Sequence, residues 1–403
     1  MIYMLTLDNV YKASRVLKNV IRQTDMIYAS KIRSDAKIYL KTENLQVTGS
    51  FKIRGSYYKI SQLTDEEKAK GVIACSAGNH AQGVALAATE NGIKSIICLP
   101  DGAPISKIEA TKRYGAEVCL VKGVYDDAYN KALELKEEKG YCFIHPFNDP
   151  DVIAGQGTIG LEIMEQLPDV DIVIVPIGGG GLISGVAYTI KQLNPNCKVY
   201  GVQAAGAPSM KQSIDNEKIE TLPKVQTIAD GIAVKTPGDL TYEIVKNYVD
   251  GVFTVTDDEI ALAILTMLEQ QKIIVEGAGA VPVAAILANK IPEIEGKNVC
   301  CVVSGGNIDV SILSRVIERG LKMSGRKASI TIALSDKPGQ LAEVSKIISK
   351  TGANVTSVNY NSSDIEMNIT DCYLKIDIET RNNEHILEIK KDLKAAGFEI
   401  FNY

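Results

Sequence analysis

The chain has 403 residues, 45% of them hydrophobic and 23% charged, with a formal net charge of −5. That length allows two or three domains with a sizeable core, and the acidic balance argues against a general nucleic-acid binder. No run of about 18 uncharged apolar residues occurs, so no membrane span is expected. The first ten residues hold Asp8 and no basic stretch, which does not read as a secretory signal.

The elements follow in chain order. Val10 to Ile21 is apolar-periodic, and Ile38 to Lys41 reads as a short strand. It leads into Thr48-Gly49-Ser50-Phe51-Lys52-Ile53-Arg54-Gly55, after which a helix is expected from Tyr57 to Leu63. Strands and helices then alternate. Gly71 to Cys75, Ser95 to Leu99, Glu117 to Val121 and Tyr141 to His145 read as strands, with helices over His80 to Asn91, Ile105 to Tyr114 and Asp126 to Glu138 between them. This rhythm implies a parallel sheet covered on both faces.

The pattern resumes with a helix within Val152 to Leu167 and a buried strand at Asp171 to Ile177. A helix to Leu193, a strand at Lys198 to Ala204, helices at Asp258 to Gln270 and Ala280 to Asn289, a strand at Asn298 to Val303 and a helix at Val310 to Gly320 complete it, with Pro282 expected in a first helical turn. Lys322 to Lys327 reads as a linker. Beyond it the order becomes βαββαβ, from Ala328 to Leu334 through to Phe398 to Asn402, which is a ferredoxin-like unit.

The eight cysteines lack a CxxC pair, and several lie in apolar strands such as Ile96 to Leu99. They fit free thiols in a reducing cytoplasm better than a disulfide or zinc framework. Three histidines weigh against a multi-histidine metal site.

Three loops carry chemistry. Gly178-Gly179-Gly180-Gly181-Leu182 lies between a buried strand and a helix, where successive backbone N–H groups and the helix N-terminus can cradle a phosphate. It is neither a P-loop nor a dinucleotide fingerprint. Ser76-Ala77-Gly78-Asn79-His80-Ala81-Gln82-Gly83 also joins strand to helix; Ser76 and Asn79 suit a helix cap, or a loop that grips a carboxylate and a cofactor. Ser304-Gly305-Gly306-Asn307 follows the last strand of this unit. Ligands bind at the carboxyl ends of parallel strands, so one sheet edge could gather these loops around Lys52. A desolvated Lys52 would have a lowered pKa and an amine able to form a Schiff base.

With Ser50 to Gly55, these loops resemble the fold-type II pyridoxal-phosphate enzymes, and most nearly the threonine ammonia-lyase (threonine dehydratase) family, over about residues 1–320. Asp336-Lys337-Pro338-Gly339-Gln340-Leu341 resembles part of an ACT regulatory domain. The resemblance implies two parallel-sheet α/β subdomains in a catalytic domain of residues 1–321. A small subdomain of about 37–146 would be inserted in a large one of 1–36 and 147–321, followed by a linker at 322–327 and the ACT domain at 328–403.

The resemblance also implies roles. Lys52 would hold pyridoxal 5′-phosphate and act as the base at the substrate α-carbon. Phe51 would pack near the ring, Asn79 would bond its 3′-oxygen, and Ser304 would face its pyridine nitrogen. Gly178, Gly179, Gly180, Gly181 and Leu182 would bind the phosphate. Ser76, Ala77, Gly78, Asn79 and His80 would form the substrate loop, with His80 the one of these suited to a structural part instead. The reaction would convert L-threonine, and also L-serine, to the 2-oxoacid and ammonia. Asp336, Pro338, Gly339, Gln340 and Leu341 would contribute to an effector site for isoleucine or valine, in a cytoplasmic homodimer or homotetramer serving isoleucine biosynthesis or threonine catabolism.

Alternatives stay open. Serine racemases of this family have a second serine where this chain has Ala77, which favours elimination over racemisation; a serine dehydratase stays open beside a threonine enzyme. A cysteine- or threonine-type synthase shares the fold, and an amino-acid-binding regulator would need only the ACT unit. That unit could also serve dimerisation without a ligand. Some relatives hold a cation near the strand ending at Val202-Gln203; here Gln203, Ala204 and Ala205 offer no carboxylate, so no metal is expected.

Overall fold

The computed structural model of the protein describes residues 5–361 and 371–401. The chain divides into two compact units between Val310 and Ser311, earlier than the boundary at 321 read from the sequence.

The first unit contains two sheets. Its strands are β1 (Met26–Tyr28), β2 (Lys37–Lys41), β3 (Val72–Cys75), β4 (Ser95–Pro100), β5 (Glu117–Val121), β6 (Cys142–Phe143), β7 (Ile172–Pro176), β8 (Lys198–Ala204), β9 (Gly251–Val255) and β10 (Asn298–Val302). A six-stranded sheet runs β1-β2-β10-β7-β8-β9 and a four-stranded sheet runs β5-β4-β3-β6. Every pairing is parallel except β1 with β2. One expectation needs correcting: β2 pairs with β10 in the larger sheet, so the smaller lobe does not begin near residue 37. Ile38 and Leu40 are fully buried, and Tyr39 packs against the core of the central strands.

The helices of this unit are α1 (Leu7–Leu17), α2 (Lys52–Ser61), α3 (Asp65–Lys70), α4 (Asn79–Glu90), α5 (Ile105–Arg113), α6 (Tyr125–Lys139), α7 (Pro150–Gln166), α8 (Gly181–Leu193), α9 (Ser209–Asp215), α10 (Asp239–Tyr248), α11 (Asp257–Thr266) and α12 (Gly277–Leu287). Local signals explain several starts. Thr6 and Asn9, Thr64 and Glu67, and Thr256 and Glu259 form reciprocal capping boxes, and Asp149 caps α7 with Pro150 in its first turn. Pro282 lies inside α12 rather than in its first turn, because that helix begins earlier, at Gly277.

Helix α2 differs most from expectation. It starts at Lys52, so the lysine itself opens the helix that Tyr57 to Leu63 was expected to continue. Glycines let α2 lie close against α7: a Cβ on Gly155 would come within 2.6 Å of the Gly55 Cα. Beside that contact the fully buried Arg54 makes a fork to Glu43 (2.7 and 2.8 Å) and reaches Glu162 (2.6 and 3.0 Å) and Thr158 (3.1 Å). Lys41, also fully buried, bonds Glu162 at 2.5 Å. Two cations thus face two carboxylates, which offsets the cost of burying each charge.

The second unit holds α13 (Val310–Met323, which starts at the boundary), β11 (Lys327–Ser335), α14 (Gln340–Lys350), β12 (Asn354–Asn361), β13 (Asp371–Glu379), α15 (Asn383–Ala395) and β14 (Glu399–Phe401). Its sheet is antiparallel in the order β12-β13-β11-β14. Ile330, Ile332, Leu374, Ile376, Val344 and Ile389 fill the core between sheet and helices. The expected ferredoxin-like order is present. Asn402, the expected end of the last strand, lies outside the described residues.

Candidate active site

Four chain segments converge because each leaves the carboxyl end of a parallel strand. The loop after β2 leads to Lys52, the loop after β3 carries Ser76 to Asn79, the loop after β7 carries the glycine run, and the loop after β10 carries Ser304 to Asn307. The first and last are clipped together. Phe51 N–H donates to Ser304 O (3.1 Å) and Gly306 N–H to Gly49 O (2.9 Å), with Ser50 and Gly305 forming an antiparallel bridge. Gly49 has a φ of +70°, and a Cβ there would stand 2.5 Å from Asn307 Oδ1, so glycine is required.

These segments enclose a cleft of about 1100 Å³. Phe51, Lys52, Ser76, Ala77, Gly78, Asn79, His80, Gly178, Gly179, Gly180, Gly181, Leu182 and Ser304 all line it. Asp336, Pro338, Gly339, Gln340 and Leu341 lie in the second unit, at the turn from β11 into α14. Asp336 accepts a hydrogen bond from the Tyr360 hydroxyl at 2.5 Å, and Gly339 has a φ of +96° at the helix cap.

Lys52 Nζ donates to the Pro146 carbonyl at 2.9 Å and stands 5.3 Å from the Phe51 ring centre. Burial favours the neutral amine and brings its pKa down to about 8, although the nearby Glu276 pulls the other way. The neutral, nucleophilic amine is therefore far more populated near neutral pH than in a solvent-exposed lysine.

The glycine run is a cradle that any side chain would fill. A Cβ on Gly179 would lie 2.4 Å from the Phe147 ring, one on Gly180 2.7 Å from Thr241 Cβ, and one on Gly181 2.8 Å from Phe147 Cα. Gly180 takes a left-handed φ of +99° as the cap residue of α8, and no side chain caps that helix. Its first N–H groups are thus open to an anion.

On the opposite wall, Gly78 and not Ser76 is the cap residue of α4, and Ser76 Oγ accepts from Gly78 N–H at 3.1 Å. The capping alternative for Ser76 and Asn79 is therefore not what this loop does. The Asn79 amide is held between Glu276 (2.7 Å) and Asn307 (2.8 Å). His80 sits behind the loop. Its Nε2 meets Ile144 O at 2.8 Å and its Nδ1 meets Ser56 Oγ at 3.5 Å. Burial and the Lys52 charge lower its pKa to about 3, so it is neutral, and both ring nitrogens face protein partners. That geometry agrees with its structural alternative.

Several lining residues were not anticipated. Glu276 is buried in the cleft wall, and burial together with Asp230 raises its carboxyl to about 7. His145 accepts at Nδ1 from the N–H groups of Phe147 (3.2 Å) and Asn148 (2.8 Å), and burial lowers its pKa to about 4. Thr241 Oγ1 braces the cradle through Gly179 O at 2.6 Å. A lone carboxylate in the small apolar run Val275-Glu276-Gly277-Ala278 was a legible sign of the first. By the former cation position, Gln203 is committed to Ile177 O and Lys211 N–H.

These donors suit one type of group. A phosphate matches the glycine cradle, a carbonyl carbon matches the Lys52 amine, and a flat ring with polar atoms fits between Phe51, Asn79 and Ser304. Comparison with known proteins agrees. The family model described as pyridoxal-phosphate dependent enzyme matches residues 17–305, and one described as ACT domain matches residues 322–396. The L-threonine ammonia-lyase of Thermotoga maritima is 52% identical over 98% of this chain and 99% of its own. That of Geobacter sulfurreducens is 45% identical over 98% of each chain. Among solved structures, threonine deaminase isoform 2 from Solanum lycopersicum aligns with a TM-score of 0.74 at 39% identity, covering 78% of this chain and 94% of its own. Maize serine racemase aligns at 0.75 and 37%, covering 80% and 99%.

Proposed function

This chain belongs to the threonine ammonia-lyase family of pyridoxal-phosphate-dependent enzymes and carries a C-terminal ACT domain, and from that premise we propose how its residues deaminate L-threonine. The observation that carries the reading is the half-buried Lys52 amine lining one cleft together with the glycine run, Asn79 and Ser304.

Gly178 to Leu182 would hold the cofactor phosphate, Phe51 would pack near its ring, Asn79 would donate to its 3′-oxygen, and Ser304 would face the pyridine nitrogen. When bound, pyridoxal phosphate supplies an aldehyde that takes the substrate amine and a conjugated system that accepts the α-carbon electrons. Ser76, Ala77, Gly78 and Asn79 hold the substrate carboxylate, which fixes the Cα–H bond relative to Lys52. Lys52 Nζ takes the α-proton. The β-hydroxyl leaves with a proton as water, and the enamine left behind is protonated at its β-carbon to an imine, which water hydrolyses to 2-oxobutanoate and ammonia. A neutral Ser304 would leave the ring nitrogen unprotonated, which suits elimination. His80 supports the loop from behind.

Serine racemase is the second reading, favoured by the similarity of fold to maize serine racemase. Ala77 opposes it, because it supplies no hydroxyl as a second base. The ACT domain binds an amino-acid effector, isoleucine or valine, near Asp336 to Leu341, and works through a homodimer or homotetramer. The setting is isoleucine biosynthesis or threonine catabolism in the cytoplasm. Among the described residues no helix is long and apolar enough to cross a membrane.

The test is to incubate the purified holoenzyme with L-threonine and with L-serine, with and without isoleucine. Ketoacid release from both, altered by isoleucine in the full chain and not after truncation beyond Lys322, agrees with the reading. Steady D-serine production from L-serine as the main product contradicts it.

A further inference from the structure

Glu276 occupies the cap position of α12 but does not cap that helix. Its carboxylate turns into the cleft instead, only 4% exposed, and accepts from Asn79 Nδ2 at 2.7 Å. Its own N–H donates to Gly305 O at 3.1 Å, which ties it to the loop after β10. That loop returns through Asn307, whose Nδ2 donates to Asn79 Oδ1 at 2.8 Å and to Thr48 O at 2.8 Å. The packing leaves little slack: a Cβ on Gly305 would lie 2.4 Å from Glu276 Oε1 and 3.2 Å from Asn79 Nδ2.

The consequence is an orientation lock. An asparagine amide offers one acceptor oxygen and two N–H donors. Here the oxygen is taken by Asn307 and one N–H by Glu276. Turning the amide over would set an N–H against the Asn307 NH2 group and an oxygen against the Glu276 carboxyl oxygen. Both contacts would be lost at once in a dry site, where an unmade hydrogen bond is costly. The remaining Asn79 N–H is then available to the cleft that Asn79 lines.

We propose that Glu276 is a positioning residue that holds the Asn79 amide as a fixed donor toward the ring oxygen of the cofactor. The proposal rests on the reading of Lys52 and Asn79 as cofactor contacts, and it adds what sets the Asn79 geometry. A fixed donor at that oxygen would stabilise its anionic form when the cofactor is bound. Glu276 does this without touching substrate.

The experiment compares wild type with Glu276→Gln, Glu276→Asp and Glu276→Ala. Each is freed of cofactor and titrated with pyridoxal phosphate, recording the visible absorption spectrum, the Kd, and kcat and KM for L-threonine. Glutamine retains a carbonyl oxygen at the same reach, so it keeps the absorption maximum and a Kd within about threefold of wild type. Alanine displaces the maximum, weakens binding roughly tenfold and lowers kcat at least as much, with KM moving less than about threefold. Aspartate falls short by one methylene and behaves like alanine in the spectrum. Should the alanine variant not fold, the contrast between glutamine and aspartate decides. An alanine or aspartate variant with the wild-type maximum and Kd overturns the proposal. Failure of wild type to bind cofactor through Lys52 would instead overturn the underlying reading.

Discussion

Replacing Arg54 by methionine should destabilise the protein and slow it. Methionine keeps much of the volume of the arginine stem but removes five side-chain hydrogen bonds, to Glu43, Glu162 and Thr158. Glu43 is fully buried and Glu162 is 13% exposed, so two carboxylates would face Lys41 alone. Removing one partner of a buried pair costs about 3–5 kcal/mol, because the other charge is left uncompensated. For a unit of this size, Met1–Val310, that lowers Tm by roughly 5–8 °C. Thermal unfolding at fixed protein and cofactor concentration measures it. Pairing Arg54→Met with Glu43→Gln should cost less than the sum of the two, by about 1 kcal/mol or more. The pH dependence follows in sign. Burial alone would raise the Glu43 carboxyl, but Arg54 overrides it and holds it below its usual value. A depressed carboxyl contributes stability that is present above the unfolded pKa and lost as pH falls through the folded one. Wild type should therefore lose more of its margin over the variant as acid is added. Arg54 stands two residues beyond Lys52 in α2, so kcat should fall with Tm. A Tm change under about 2 °C, or full additivity with Glu43→Gln, would refute the charge-balance argument.

Gly181→Ala sets a Cβ 2.8 Å from Phe147 Cα, which is backbone and cannot step aside cheaply; cofactor affinity should drop at least roughly tenfold by titration, and an unchanged Kd would contradict the cradle. Cofactor uptake by the apoprotein needs neutral Lys52, whose pKa burial brings to about 8 despite Glu276, so the rate should climb with pH and level above that value. A rate still rising past about pH 10 would mean an unshifted lysine. Ala77→Ser adds a hydroxyl on the substrate loop, and chiral chromatography should then find D-serine formed from L-serine; its absence would remove Ala77 as the reason for elimination.

Much of this architecture was legible in the sequence because its signals are local. A run of four glycines between strand and helix has few uses, and the resulting loop lies where that pattern points. The same holds for the βαββαβ order of the second unit. What escaped was set by tertiary contact. The opening turn of α2 is fixed by Arg54, which pairs with Glu43 in the turn after β2 and with Glu162 in α7, and by Gly55 packed on α7, contacts that no local propensity announces. β9 and α10 went unread although α10 buries Tyr242, Ile244 and Val245 on one face and β9 is rich in β-branched and aromatic residues. β2 sits with the large sheet because its partner β10 is some 260 residues away in sequence. The apolar run around Glu276 hints that it is buried, but its partner is invisible until Asn79 is brought to it from nearly 200 residues upstream.

The most direct test is the pair wild type and Lys52→Ala, each saturated with pyridoxal phosphate and given L-threonine, following the visible cofactor band and 2-oxobutanoate together. Wild type should shift the band and release the ketoacid, whereas Lys52→Ala should release none above the uncatalysed background. Wild-type turnover in the variant would contradict the assignment of Lys52 as the base and, with it, the function built on this cleft.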